Sequence, residues 1–295
     1  MSTSGGLLVT KKSPQLLVED LGRPGWAHLG VPASGALDRS SLALANRLVG
    51  NCEAAAGLEI AVGGCSFVAG QAMRIALTGA VLPLRVAGRP CGWGEAISVR
   101  AGQPIEVGTS PAGLRAWLAV AGGLACPRVL GSRSTDTLTG LGPAPVETGD
   151  ALAIGTAVTM IGHGNAVPDP YRPGPCRLRT RLGPRSDWFT ADAVAALLSE
   201  EYVVSADSDR IGLRLQSASG IPLQRRISDE LPSEGVVLGA VQVPAGGQPL
   251  VFLADHPVTG GYPVIGVVDP LDVSRCAQLR PGDRVSFVDW SRRRA

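Results

Sequence analysis

Lysine is almost missing from this 295-residue chain: Lys11 and Lys12, both near the amino terminus, are the only two. No G-x-x-x-x-G-K-[ST] phosphate loop is possible beyond them, because that loop needs its lysine on the β- and γ-phosphates. The same scarcity excludes a Schiff-base lysine in the body, a Lys-Ser-Ser amidase triad drawn from distant segments, and a Met-Lys-Met site for covalent biotin. Histidine is scarce too. His28, His163 and His256 show neither H-x-x-x-H nor H-x-H spacing, so no metal site is expected. The six cysteines (Cys52, Cys65, Cys91, Cys126, Cys176, Cys276) form no C-x-x-C and read as reduced thiols rather than a zinc or redox centre. No G-x-S-x-G nucleophile elbow occurs. The start lacks an apolar signal core, and no run reaches the roughly 18 apolar residues of a membrane span, so a cytoplasmic protein is expected. A formal net charge of +2 leaves little field for nucleic acid or acidic membranes. The terminal Arg292, Arg293 and Arg294 read as a solvated tail.

What is abundant is punctuation. Thirty-nine Gly and 23 Pro interrupt a chain that is 45% hydrophobic, which fits many short strands joined by tight turns in a length able to bury a core unaided. Strands are expected in the apolar stretches Gly6–Thr10, Met73–Thr78, Pro104–Val107, Arg115–Ala121, Gln248–Ala254 and Arg284–Val288. Helical spacing is found over Asp38–Val49, over Ser186–Leu198 with Ser186 as cap, and over the short Leu271–Gln278.

The chain also echoes itself. Arg115–Ala121, Gly122-Gly123, Pro127 and Asp136 are matched by Pro249–Ala254, Gly260-Gly261, Pro263 and Asp272. Each copy closes on a Gly-Asp turn, Gly149-Asp150 and Gly282-Asp283, that feeds a last strand. This pattern predicts an N-terminal β lobe over 1–166, a Pro-rich linker over 167–175 and a C-terminal β lobe over 176–295.

Distinctive polar residues lie in Gly-rich turns: Asp20 to Gly25, Ser34 to Asp38, Gly131 to Asp136, Ser208 to Gly212, Gln242 with Gln248, and Asp255 to Tyr262. Arginine between Gly and Ser suits a planar anion, since a guanidinium donates two parallel hydrogen bonds and the turn adds backbone and hydroxyl donors. A small carboxylate- or carbonyl-bearing ligand is the functional reading; Asp–Arg pairs that only brace the loops of a β protein are the alternative. Asp255 and His256 are strand neighbours that point to opposite faces, which argues against an orienting pair. His256 alone has the chemistry to move a proton to a leaving nitrogen.

Taken in order, these blocks resemble a known family. Asp20-Leu21-Gly22-Arg23-Pro24-Gly25, Ser34-Gly35-Ala36-Leu37-Asp38, Ala45-Asn46-Arg47-Leu48-Val49-Gly50-Asn51, Leu77-Thr78-Gly79-Ala80, Leu118 to Gly123, Val129 to Thr135, Ser208-Asp209-Arg210, Ser233 to Val236 and Gly247-Gln248-Pro249 through Tyr262-Pro263 are similar to the biotin-dependent carboxyltransferase-like family. That family is also called allophanate hydrolase subunit 2 or KipA, and it includes the C component of 5-oxoprolinase. The resemblance implies a mainly β fold of two cyclophilin-like β-barrel lobes with a few short helices. It implies two partners, a subunit 1 or KipI-like protein (the B component of 5-oxoprolinase) and a LamB/YcsF-like protein (its A component). It also implies an ATP-dependent opening of the 5-oxoproline lactam to glutamate by the complex, with this chain inactive alone. The alternatives are a carboxyltransferase subunit for urea-like amides, working with biotin, and a non-catalytic regulatory subunit. Prolyl isomerisation is not implied, because a shared fold does not carry a shared site.

Both enzymatic readings develop negative charge on an oxygen next to nitrogen, which arginine and amide donors stabilise. The expected catalytic residues are Arg133, Asp209, Arg210 and His256. The expected substrate-binding residues are Asp20, Arg23, Ser34, Asp38, Ser134, Gln242, Gln248, Thr259 and Tyr262, with Asp20, Asp38 and Asp209 orienting the others. The sequence departs from the family at His256-Pro257-Val258, where Arg-Gln-Thr is usual, and at Val264, where a lysine often stands.

Overall fold

The computed structural model describes residues 5–156 and 174–290. The chain divides into one unit of Met1–Arg23, Ser34–Asp136 and Gly140–Pro173, and a second of Pro24–Ala33, Thr137–Thr139 and Gly174–Ala295. The expected linker over 167–175 lies outside the described residues except for Gly174 and Pro175, and so does His163.

In the first unit, β1 (Gly6–Lys11), β2 (Gln15–Glu19), α1 (Arg39–Val49), β3 (Gly57–Ala61), β4 (Gly63–Ala69) and β5 (Met73–Gly79) follow in order. They lead to β6 (Leu84–Val86), β7 (Arg89–Cys91), β8 (Ile97–Val99), β9 (Pro104–Thr109), β10 (Arg115–Val120) and β11 (Ala151–Ala153). The strands form a six-stranded sheet, β11-β1-β4-β9-β6-β7, and a five-stranded sheet, β2-β3-β10-β5-β8. Alternation in β4, which buries Gly63, Cys65, Phe67 and Ala69 and leaves the residues between partly open, is the period-2 signature of a half-buried strand. Phe67, Ile105, Leu16, Leu58, Leu77 and Leu118 belong to one apolar cluster with members from both sheets. Helix α1 starts where Asp38 accepts the Ser41 N–H at 3.0 Å and stops at Gly50, whose φ of 86° suits glycine. Asn51 then fastens the motif that ends the helix, donating to Asn46 Oδ1 and Val120 O and accepting from the Gly122 N–H.

The second unit carries β12 (Cys176–Leu182), α2 (Ala191–Ser199), β13 (Glu201–Val204), β14 (Gly212–Ser217), β15 (Glu234–Gly235) and β16 (Ala240–Gln242). After these come β17 (Leu250–Phe252), β18 (Thr259–Gly260), β19 (Val264–Val268), α3 (Pro270–Cys276) and β20 (Arg284–Asp289). Seven strands close into a barrel, β12-β19-β16-β17-β14-β13-β20, sealed by the parallel β12–β20 pair. Tyr202 meets Phe287 edge to face at 5.4 Å, both buried. The fold is thus mainly β with three α-helices among the described residues.

Three sequence boundaries move. Ser186 opens a single 3-10 turn, Phe189 is extended, and α2 begins only after Thr190, whose hydroxyl accepts the Ala193 N–H at 3.1 Å. The strand expected over Gln248–Ala254 shortens to Leu250–Phe252, because Gln248 turns its side chain to the Ser217 N–H. Helix α3 starts at Pro270, capped by Asp269. The echo is partly structural. In both closing turns the aspartate accepts the backbone N–H three residues back, Asp150 from Glu147 and Asp283 from Arg280, each at 2.8 Å, after a glycine with positive φ. The Gly-Gly pairs do not match: Gly122 and Gly123 are left-handed, whereas Gly260 and Gly261 are not.

Candidate functional site

In the first unit the polar turns converge on Asp20. Its Oδ1 accepts from Ser132 Oγ (2.6 Å), Ser134 Oγ (2.7 Å) and the Gly22 N–H (2.8 Å), while Oδ2 accepts the Arg133 N–H (2.7 Å). Four donors on one buried carboxylate fix the Ser132–Ser134 backbone without leaving a polar atom unmatched. The segment enters through a two-residue reversal in which Val129 and Ser132 exchange backbone hydrogen bonds around Leu130 and Gly131. Both central residues are left-handed, with φ of 51° and 86°. Glycine adopts that conformation freely; a leucine there is strained. The product of this scaffolding is a half-buried Arg133. Its Nε donates to Cys126 O at 2.7 Å, and its two terminal nitrogens make no hydrogen bond among the described residues. Burial raises the neighbouring Cys126 thiol, so this sulfur is a poor nucleophile.

Arg23 fastens the same segment from inside. Its side chain has no exposure, Nε donates to Val129 O, Nη2 donates to Ser134 O, and Nη1 stands 3.9 Å from Asp136. Gly142 closes over it: a Cβ there would overlap Ser134 O. Ser34 is buried with φ of 52° and donates to Thr135 O at 3.4 Å. Asp38 is occupied as the α1 cap, accepting also from Ser40 Oγ and Ser41 Oγ. Asp20, Arg23, Ser34 and Ser134 thus bond within the segment that carries Arg133, and Asp38 caps α1.

In the second unit Arg210 is fully buried and its fork is occupied. Nε and Nη2 donate to Asp255 Oδ2 and Oδ1 at 2.9 and 3.2 Å, and Thr137 donates its N–H and hydroxyl to Oδ2 at 3.0 and 2.7 Å. Arg210, expected as a catalytic residue, thus has its Nε and Nη2 committed to a carboxylate of its own chain. Asp209 is exposed and closes its own turn, accepting the Ile211 and Gly212 N–H groups. His256 is half-buried. Its Nδ1 donates to Pro257 O at 2.7 Å, and its ring sits 5.7 Å from that of Phe252. Burial pulls its pKa below the ordinary 6.5, against the smaller opposing pulls of the Pro257 carbonyl and Asp255. The ring is neutral at pH 7 with Nε2 as its basic nitrogen.

Gln242 is buried and donates to Tyr262 O at 2.9 Å; a Cβ on Gly260 would come within 2.7 Å of its amide. Gln248 is committed to Ser217. Thr259 and Tyr262 are exposed, and the Arg225 guanidinium lies 5.6 Å from the Tyr262 ring centre. Reading by residue type missed Asp255 as a counter-ion and Arg225 as a ring partner. Neither has a spacing signal, since the contacts join positions far apart in sequence. No group of three or more His, Cys, Asp or Glu able to hold a metal occurs among the described residues, and no described helix is long and apolar enough to cross a membrane.

A two-sheet unit and a closed barrel of this kind are found in carboxyltransferase domains, and the chain belongs to the carboxyltransferase domain, subdomain A and B, family, matched over residues 29–289. It is 35% identical to the C subunit of 5-oxoprolinase from Escherichia coli (strain K12), covering 93% of this chain and 88% of that protein. Among solved structures it is similar to TTHA0988 (TM-score 0.85, 36% identity, 97% of this chain and 56% of that one). It is also similar to the Kluyveromyces lactis urea carboxylase (TM-score 0.91, 26% identity, 97% of this chain and 27% of that one). Both crystallised chains are therefore much longer than the region shared with this one.

Proposed function

We propose that this chain is the C subunit of a 5-oxoprolinase, working with a KipI-like partner and a LamB/YcsF-like partner to open the 5-oxoproline lactam to glutamate at the expense of ATP. The observation that carries this reading is the near end-to-end similarity to the Escherichia coli C subunit, 93% of one chain and 88% of the other. Opening a lactam places negative charge on the carbonyl oxygen as the nucleophile adds, and leaves a nitrogen that takes up a proton. Arg133 has the free, charged donors the first event needs. His256, in the second unit, is a neutral histidine whose basic Nε2 has the chemistry to move a proton.

The ATP implied by this reading does not fit the lysines present. Lys12 is tied to Glu147 at 2.5 Å, and no lysine stands further along the chain. Phosphate chemistry is accordingly assigned to the partner proteins, and biotin has no attachment lysine here. Six unpaired cysteines, three of them buried, support a reducing compartment, the cytoplasm. The test is ATP-dependent glutamate formation from 5-oxoproline by the three purified proteins, with each omitted in turn and with urea as the competing substrate. Turnover that needs all three is the expected result. Carboxylation of urea, or full activity without this chain, overturns the reading.

A further inference from the structure

Strands β7 and β8 end their respective sheets, and between them the first unit is hollow. A groove of about 1010 Å³ runs along the whole of both strands. Its floor includes Met73, Val86 and Val99, members of the apolar cluster shared by the two sheets. Its rim carries Arg74, Arg89 and Arg100, all exposed, and no acidic residue lines it. None of the three guanidiniums has a hydrogen bond or ion pair among the described residues, whereas the half-buried Arg47 and the exposed Lys12 of the same unit are paired with Glu53 and Glu147.

Charged residues on sheet edges commonly serve only to discourage pairing. That role needs no groove of ligand size between the two edges. An apolar floor under a basic rim calls for an occupant with the opposite pattern, apolar on one side and acidic on the other, which an extended chain provides every second residue. Of the two edges, β7 has lost an N–H at Pro90, whereas β8 contains no proline, so the alternate N–H groups that do not face β5 are kept. We propose that this groove receives an extended segment of a partner chain, with acidic and apolar residues alternating, paired edge-on to β8. This mode of recognition takes its affinity from main-chain hydrogen bonds and its specificity from alternate side chains.

The proposal does not depend on which reaction the assembled protein performs. The test is fluorescence anisotropy on the full chain with a fluorescein-labelled peptide of alternating glutamate and valine, about six residues long, the usual length of a strand. The expected result is binding that weakens with salt and falls by roughly tenfold or more in the triple variant Arg74→Glu, Arg89→Glu, Arg100→Glu. Should that variant melt early, the double variant Arg89→Gln, Arg100→Gln provides the same comparison with less repulsion. No binding, equal binding of a lysine–valine peptide, or an unchanged affinity in a folded variant overturns the proposal. Displacement of the peptide by low concentrations of ADP does so as well, since it marks a small-anion site. A complex that opens 5-oxoproline while this chain ignores the peptide leaves the functional reading standing and removes this one.

Discussion

Replacing Arg133 by alanine separates catalysis from scaffolding. Among the described residues the side chain makes one hydrogen bond, Nε to Cys126 O, while the turn itself is held by the backbone N–H of residue 133 on Asp20, which alanine retains. A charge-assisted bond to a carbonyl contributes about 1.5–3 kcal/mol at most, and this residue is partly exposed, so a stability loss of about 1 kcal/mol, or a few degrees of melting temperature, is expected. The rate should fall far more. Removing a donor aimed at a developing oxyanion costs on the order of 100-fold, equivalent to about 2.7 kcal/mol. Arg133→Lys should recover little, because an ammonium lacks the planar fork. The assay measures melting, co-purification with the partner proteins and ATP-dependent glutamate formation on the same preparation. Asp20→Ala serves as the contrast: it strips the acceptor from four donors and should cost several kcal/mol in stability. If Arg133→Ala lowers melting as much as Asp20→Ala while turnover per folded complex stays within about threefold of wild type, the arginine is a brace and the catalytic assignment is wrong.

Three further outcomes rest on the same geometry. Arg210→Met strands a buried Asp255 and should destabilise by about 3–5 kcal/mol, whereas adding Asp255→Leu should restore much of that loss, as read by denaturant melts; an equal or larger loss in the double variant refutes the pairing as the cause. His256 has a folded pKa below its unfolded 6.5, so the unfolded chain binds the proton more readily, and stability should be lost as pH falls from about 6.5 toward the lowered value. Melts between about pH 5 and 7.5 should show that loss in wild type and not in His256→Gln, and activity should decline over the same interval. Leu130→Gly relieves a left-handed leucine and should raise stability by up to about 1 kcal/mol; a lower melting temperature would mean that the exposed leucine side chain contributes more than the strain costs.

The strands that could be read from the sequence were those whose local signals agree with their surroundings. β5, β10 and β20 are apolar runs bounded by glycine, aspartate or serine, and α1 has both its aspartate cap and its closing glycine. Ser186 misled because a serine followed by an apolar run looks like a cap, while Thr190 four residues later has the better geometry and wins. Residue chemistry also located the important turns but not the division of work within them. Arg23, Arg133 and Arg210 look alike as arginines within short turns that contain glycine or serine. Only tertiary placement shows that the first is walled in, the second presents free nitrogens and the third is neutralised by Asp255, which lies 45 positions away. Such pairings leave no trace in spacing, since the chain returns to them by topology and not by periodicity.

The Asp20 clamp also ties the order of folding to the readiness of the site. The bond from the Arg133 N–H spans 113 residues of sequence, so closing it carries a long loop-closure cost that only assembled sheets can offset. The Arg133 turn should therefore organise late. Its amide should exchange with solvent as slowly as the strand amides of β2, through global opening and not local fraying. A newly made chain would then hold the Arg133 side chain in its final setting only when the surrounding unit is complete, so that partially folded molecules do not display this turn to solvent in its native form.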